Sequence, residues 1–477
     1  MGYQAGQSRE QIALFATSLE DAVEPDNLVR VIDAFVVGLD LVALGFTKAR
    51  PAGTGRPAYD PADLLRLYVY GYMNQVRSSR RLERETKRNV ETMWLLRRLS
   101  PDHKTIAQFR RENGPALQAS CRHFVKFCQD QDLLKGQWIA IDGSKFEAVA
   151  SRKALIREAD LRKQEQALEE SIARYLGMLE QADVAEEGVL GIDRAAVQSA
   201  VEQLREEQTR AQSHRQRLEQ AGQTYEVQGE EQARLMRTGG GTADIAYNVQ
   251  AAVDTQHLLV VHHEVTNETN DLRSLLPVAR AVKEALGCDT LNVVADKGYS
   301  NAQQLGQCEQ QGIIAWVPIK RTVNNSGQGK LYDRTRFAYD PSNDTYRCPA
   351  NEVLVYQKSN NHLRARLYGT AACAGCAQRS NCTKSRQRIV TRSFDEAAME
   401  RSQRRVDDTP QAMQARRQSV EPVFGTLKHR VLGNARLLMR HLSGAGAEMA
   451  LAVLAYNLKR VCNVMGSAQI KIKLAAG

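Results

Sequence analysis

Residues 137–146, QWIAIDGSKF, and residues 291–300, LNVVADKGYS, decide how this chain folds. In each, a short apolar and β-branched run stops on an aspartate, Asp142 or Asp296, and is followed at once by Gly143 or by Lys297 and Gly298. Such runs are bounded like buried strands and are short for helices. An acid at the point where a buried strand leaves its sheet projects to the open edge of an α/β layer, where polar ligands bind. One such aspartate alone is better explained by a strand-end cap; two in one sheet shift the balance toward chemistry.

The surroundings supply the rest of an α/β sheet. Strand patterns at 245–253 and 257–265, with Asp254, Thr255 and Gln256 between them, read as a hairpin. A helix over 272–286, the strand 291–295, a helix over 301–311 and a strand over 313–319 follow, which predicts a mixed five-stranded sheet. Upstream, apolar residues at three and four spacing predict helices over 27–44, 61–73, 79–89 and 105–129, the second opened by Asp60 as N-cap and Pro61 at the first helical position. Two insertions split the core. Residues 152–222, rich in Glu, Gln, Arg and Leu around the breaker EEGVLGID, read as a helical hairpin, and 320–395 reads as loop-rich and holds a cysteine cluster. The chain is therefore expected to divide into a helical region at 1–130, an α/β core at 137–319 interrupted at 152–222, the cysteine-rich insertion at 320–395, and C-terminal helices of the core at 400–465.

Composition narrows the function. With 477 residues, 43% hydrophobic and 25% charged, the chain is an ordinary globular protein and excludes disorder, collagen and fibrous coiled coil. No apolar run reaches membrane-spanning length, and 32–46 is broken by Asp33 and Asp40. The start, MGYQAGQSREQ, has no signal-peptide pattern, and nine scattered cysteines form no small stapled framework, so a reducing cytoplasmic location is expected. A formal charge of +10 points to a polyanionic partner, as does its distribution. Residues 77–111 hold eleven bases against four acids and 401–477 hold thirteen against four, a pattern that suits a phosphate backbone gripped in two places. Arg80, Arg81 and Arg84 are the leading candidates in the first region, where a helix-turn-helix type of unit and a plain helical packing domain both stay open. Tyr68, Tyr70, Tyr72 and Trp94 read as packing residues before base-stacking ones.

A third acid, Glu421, lies in QARRQSVEPVFGTLKHR among Val420, Val423, Phe424 and Leu427, with Arg416, Arg417, Lys428 and Arg430 nearby. Either it pairs with Arg417 four residues earlier, or it joins Asp142 and Asp296 around divalent metal. Three carboxylates select Mg²⁺ or Mn²⁺, and two such ions can activate a water or a 3′-hydroxyl at a phosphodiester. Ser144, two residues after Asp142, has no nearby histidine and reads as a turn residue. His262 and His263 are adjacent in a strand and face opposite sides, so they do not share a site. Cys348, Cys373, Cys376 and Cys382, spaced C-x24-C-x2-C-x5-C, are candidates for a structural zinc, with His362 as a substitute ligand; free reduced thiols are the alternative. The remaining cysteines read as packing residues.

In this order and over nearly the whole length, the motifs resemble a bacterial insertion-sequence transposase of the DDE class. GRPAYDPADLLRLYVYGY and SPDHKTIAQFR resemble the helical N-terminal domain of that family, IDGSKFEA and ADKGYSN its two aspartate motifs, and VEPVFGTLKHR with LAVLAYNLKRV its glutamate region. The resemblance implies an RNase H-like catalytic core in which Asp142, Asp296 and Glu421 bind Mg²⁺ or Mn²⁺ as two ions. It implies DNA contacts from Arg417, Lys428 and Lys297, with Arg417, Glu421 and Lys428 on one helical face. The tyrosine common in the family's glutamate helix is Gln414 here, which bears on a DNA contact and leaves the acids intact. The expected activity is strand cleavage and strand transfer at the element's terminal inverted repeats, on double-stranded DNA, by a homodimer or larger synaptic complex. A catalytically silent DNA-binding descendant and a general RNase H-like nuclease are the alternatives.

Overall fold

A computed structural model describes residues 18–51, 53–55, 57–184, 193–237, 242–319 and 331–476. The start of the chain, the glycine-containing breaker at 186–192 and the opening of the cysteine-rich insertion at 320–330 lie outside the described residues. The described residues divide into two compact units, one within Met1–Ser144, Asn248–Ala435 and Gly446–Gly477, the other within Lys145–Tyr247 and Arg436–Ala445. The sequence places a boundary near 137; residues on both sides of it belong to the first unit.

The first unit opens with six helices: α1 (Leu28–Val37), α2 (Pro61–Met73), α3 (Ser79–Arg88), α4 (Val90–Leu95), α5 (His103–Glu112) and α6 (Gly114–Asp130). Asp60 caps α2 by accepting a hydrogen bond from the Ala62 amide at 2.8 Å, with Pro61 at the first position. The expected helix over 27–44 stops at Val37, because Asp40 turns its carboxylate onto the Val42 and Ala43 amides and forms a separate turn. The expected helix over 105–129 is two helices. It is broken where Asn113 turns away to accept from the Thr47 amide and Pro115 starts α6. Tyr68, Tyr70 and Tyr72 are buried on α2; the Tyr68 hydroxyl donates to the Ile106 carbonyl and the Tyr72 hydroxyl accepts from Arg110.

Strand β1 (Ile139–Glu147) then leads into the second unit, which holds β2 (Leu155–Arg157), α7 (Glu158–Val184), α8 (Arg194–Gln220), β3 (Tyr225–Val227) and β4 (Arg234–Arg237). The expected hairpin is present as the two 27-residue helices α7 and α8, with Leu161, Ala211 and Leu218 buried and Arg215 ion-paired to Glu165. β2 and β3 pair antiparallel at its base, and β4 pairs with residues 243–246.

The chain returns to the first unit along β5 (Ala243–Asp254) and continues through β6 (Val260–Thr266), α9 (Leu275–Leu286), β7 (Leu291–Ala295), α10 (Ala302–Gln310) and β8 (Ile313–Trp316). The strand order is β6-β5-β1-β7-β8, with β6 antiparallel to β5 and with β1, β7 and β8 parallel. This is an RNase H-like core with the five expected strands; β4 adds a sixth that its four residues RLMR do not announce. Ile139, Ile141, Val293, Ala295, Ile313 and Ala315 pack on Leu275, Val278 and Val282 of α9.

The cysteine-rich segment is not loop-rich. β9 (Ala338–Asp340), β10 (Thr345–Arg347), β11 (Val353–Asn360), β12 (Ala365–Gly369) and, after the short α11 (Arg379–Cys382), β13 (Val390–Ser393) form an antiparallel sheet. It has its own core of Phe337, Tyr346, Leu354, Tyr368 and Val390. The strands are short and show apolar side chains on both faces, Val353 and Val355 outward and Leu354 inward, which hides the period-two signal. Four helices close the chain: α12 (Glu396–Asp408), α13 (Pro410–Thr426), α14 (His441–Met465) and α15 (Ser467–Ala476). From α14, Asn457 binds both the amide and the carbonyl of Val260 on β6.

Candidate active site

The parallel pairing of β1 with β7 sets the site. Ile141 lies opposite Ala295, so Asp142 and Asp296, each one residue further on, leave the sheet side by side. Every side chain before them on these runs that faces the core is apolar and buried, which forces the first polar group to appear at the strand end. Asp142 takes the Gly143 amide on Oδ1 at 2.8 Å, and Asp296 takes the Gly298 amide at 2.7 Å, capping the turn Lys297–Tyr299.

The third acid arrives on α13, anchored by buried Ala412, Val420, Val423 and Phe424. Arg416, 7% exposed, reaches from this helix to both acids, Nη2 to Asp142 Oδ2 at 2.7 Å and Nη1 to Glu421 Oε1 at 3.1 Å. The partner of Glu421 is thus Arg416 and not Arg417. Adjacent helical residues differ by about 100° in direction, and it is Arg416 that faces inward while Arg417 is exposed. The Glu421 side chain is 54% exposed, so its apolar sequence neighbours bury themselves without burying it. Burial pushes the Asp142 carboxyl up to about 6; Arg416 and the Gly143 amide oppose that rise, and the negative charges of Asp296 and Asp271 add to it.

Arg417 and Glu421 are both exposed four residues apart on α13, which ends at Thr426; Thr426 and Leu427 keep α-helical backbone angles up to Lys428, and Leu427–Val431 forms a π-helical turn in which the Leu432 amide bonds back to the Leu427 carbonyl. Lys297 is exposed directly after Asp296. Arg80, Arg81 and Arg84 are exposed on α3, and among the described residues no carboxylate pairs with them. Other bases of that region are engaged within the fold: Arg77 is buried against Glu448, Arg110 is buried over Tyr68, and Arg97, though exposed, pairs with Asp63. Ser144 makes no hydrogen bond to a histidine among the described residues.

Sequence reasoning missed a fourth acid. Asp271, just before α9, accepts on Oδ1 from Asn248 Nδ2 and Gln250 Nε2, each at 2.7 Å. The Tyr299 hydroxyl donates in turn to Gln250 Oε1. Asn248 and Gln250 are wholly buried, two residues apart on β5, and that pair of amides in the middle of a strand pattern was the available signal.

As they stand, no three His, Cys, Asp or Glu side chains among the described residues are gathered closely enough to hold an ion. In the acid site Arg416 fills the space between Asp142 and Glu421. The oxygen donors nevertheless suit a hard divalent cation, with the carboxylates of Asp142, Asp296 and Glu421 and the buried Asn248 Oδ1, which has no hydrogen-bond partner, while the Arg416 guanidinium now holds the oxygens such an ion would compete for. Among the described residues no helix is long and apolar enough to cross a membrane.

Two family models match the chain, Transposase domain (DUF772) over residues 17–112 and Transposase DDE domain over residues 220–458, the latter spanning half of the 477 residues. No curated protein matches it. Among solved structures, the cryo-EM structure of a piggyBac transposase synaptic complex with hairpin DNA is similar at 8% identity, covering 94% of this chain and 79% of that chain with a TM-score of 0.31. Asp296 and Glu421 both fall inside the longer match, and the chain belongs to the family of DDE transposases.

Proposed function

We propose that this chain is the transposase of a bacterial insertion sequence, which binds the terminal inverted repeats of its own element, cleaves a strand at each end and joins it to target DNA. One observation carries the reading: Asp142 and Asp296 leave adjacent parallel strands side by side, and Arg416 joins Asp142 to Glu421 on α13. Asp142, Asp296 and Glu421 would hold two Mg²⁺ or Mn²⁺ ions, which when bound supply Lewis acidity at the scissile phosphate. A water oxygen attacks phosphorus at the element end, the P–O3′ bond breaks, and a 3′-hydroxyl and a 5′-phosphate result. That hydroxyl then attacks a target phosphorus and displaces a target 3′-hydroxyl, one bond made for one broken. Lys297, Arg417 and Lys428 are assigned to phosphates near the scissile bond, and Arg80, Arg81 and Arg84 to end binding. Two ends must meet, so the working form is a homodimer or a larger synaptic complex, acting in the cytoplasm on the nucleoid. The test is cleavage of a labelled duplex carrying the native end, with Mg²⁺, with Mn²⁺ and with chelator. Metal-dependent cutting at the end, lost in Asp142→Ala, is expected; specific binding without cutting under any metal would favour a silent DNA-binding protein.

We also propose a structural zinc on Cys348, Cys373, Cys376 and Cys382. All four line one small cavity of the second sheet together with Arg379 and Arg388, and none of them is in a disulfide. Arg388 bonds the Cys382 carbonyl at 3.2 Å and has no carboxylate partner among the described residues, so its charge suits neighbouring thiolates. His362 is exposed in the β11–β12 turn and does not line the cavity. Because the sheet has an aromatic core of its own, zinc would tie its loops together rather than replace a core. About one zinc per chain in the purified protein, lost in Cys373→Ser, is the expected result; a metal-free protein of unchanged stability would leave four free thiols.

A further inference from the structure

The acid site is larger than three carboxylates. Asp271 lies against the residue that follows Asp142: a Cβ placed on Gly143 would stand 2.4 Å from Asp271 Oδ1, 2.4 Å from Gln250 Nε2 and 3.0 Å from Asn248 Oδ1. Only a residue without a side chain lets β1 approach these three groups so closely. The two amides that hold Asp271 are wholly buried on β5, and through Gln250 they are tied to Tyr299, three residues after Asp296. One polar network therefore meets both aspartate-bearing segments.

Within this network one atom is unaccounted for. Asn248 spends its Nδ2 on Asp271, and its Oδ1, in a side chain that is 0% exposed, has no hydrogen-bond partner. A buried carbonyl oxygen without a donor is costly and uncommon in a folded protein, and such atoms mark places where an ion or a water belongs. This one lies beside Asp271 and the backbone of Gly143, on the flank of Asp142. Arg416 approaches Asp142 through Oδ2, while Oδ1 takes the Gly143 amide. The negative charge of Asp271 is also felt at Asp142, where it works against ionisation in the absence of a cation.

We propose that Asp271 is a fourth carboxylate of the active site and that, together with Asn248 Oδ1, it takes part in holding one of the two divalent ions, either directly or through an ordered water. The inference rests on the DDE reading above and extends it. It gives the second ion hard oxygen donors that Asp142, Asp296 and Glu421 do not supply alone. The rival explanation is that Asp271 is a purely structural acceptor which ties β5 to the start of α9.

Mn²⁺ binding to the full-length protein, counted by electron paramagnetic resonance and titrated by calorimetry at pH 7.5 without DNA, separates the two. Asp271→Asn keeps the shape and an acceptor for the β5 amides but removes the charge. Its expected result is at least a tenfold loss of Mn²⁺ affinity at one of two sites, with a melting temperature in chelator close to that of the wild type. Asn248→Ala, which leaves the Asp271 charge in place, should weaken the same site by a smaller factor and serves if Asp271→Asn does not fold. A wild-type Mn²⁺ isotherm in Asp271→Asn, beside lost binding in Asp142→Asn, would overturn this inference and leave the DDE site standing. Absence of Mn²⁺ binding in the wild-type protein would overturn the DDE reading and this inference with it.

Discussion

Arg416 Nη2 lies 2.7 Å from Oδ2 of Asp142, a contact across 274 residues of chain that joins α13 to β1. A buried guanidinium between two acids neutralises them before any ion does, so Arg416 and a divalent ion compete for the same oxygens. Arg416→Ala should destabilise the metal-free protein by about 2–4 kcal/mol at pH 8, where Asp142 is left as an uncompensated anion, and by less at pH 5, where the carboxyl is neutral. Adding Mn²⁺ should then raise the melting temperature more in Arg416→Ala than in the wild type. An equal Mn²⁺ shift in the two proteins would mean that the arginine and the ion occupy different places.

Asp142 itself sets a pH dependence. Its folded carboxyl titrates at about 6, above the ordinary aspartate value near 3.8, because burial disfavours the anion. The native state therefore keeps this proton after the unfolded chain has lost it. The stabilisation is complete below pH 4 and is lost as pH rises to 6 and beyond. The whole effect is at most about 3 kcal/mol, two pKa units at about 1.4 kcal/mol each. Asp142→Asn has no proton to lose, so in chelator its stability should exceed that of the wild type above pH 6 and match it near pH 4. Parallel stability curves from pH 4 to 8 would show that the carboxyl is not strained by its site.

How much of this was legible in the sequence depends on the kind of signal. Asp142 and Asp296 can be read because apolar runs end on them, and the sheet order follows from those runs and the hairpin before β7. Glu421 stands out locally as an acid among apolar residues on an otherwise basic helix, but that pattern fits an ion pair as well as a metal site, and only the family resemblance chooses between them. Which arginine partners it turns on helical phase: Arg416 and Arg417 are equivalent as letters, and only the packing of Val420, Val423 and Phe424 fixes which one faces Asp142. Asp271 belongs to no motif; its role is set by Asn248 and Gln250, more than twenty residues earlier. The count of bases in 77–111 overstated the exposed basic surface, because Arg77 and Arg110 are buried parts of the helical core.

The close approach at Gly143 gives a sharper test than removal of an acid. In Gly143→Ala the new methyl would meet Asp271 and Gln250 at 2.4 Å, and both are pinned by hydrogen bonds instead of being free to swing away. A loss of about 1–3 kcal/mol is expected from this overpacking, together with loss of Mn²⁺ affinity as Asp142 is displaced. Gly425→Ala on α13 is the contrast: nothing lies within 4 Å of its added Cβ, and alanine there should stabilise the helix by about 0.5–1 kcal/mol. Equal behaviour of the two variants in thermal melts would show that the packing around Gly143 is looser than its distances imply.

Basic residues of the N-terminal helices divide into two kinds that a salt titration can tell apart. Arg80, Arg81 and Arg84 are exposed on α3 without acid partners among the described residues, whereas Arg77 is buried and bonded at 3.0 Å to Glu448, which is itself fully buried. If the three exposed residues each neutralise a phosphate, replacing all of them by alanine lowers the slope of log affinity against log salt by about 2–3, at about 0.9 per contact, with little change in melting temperature. Arg77→Ala should do the opposite. It leaves a buried carboxylate short of its cation, costs about 3–5 kcal/mol, and at a temperature where the variant stays folded keeps the wild-type salt slope. An unchanged slope in the triple variant would move the DNA-binding surface away from α3, and the basic residues between 401 and 477 would be the next to replace.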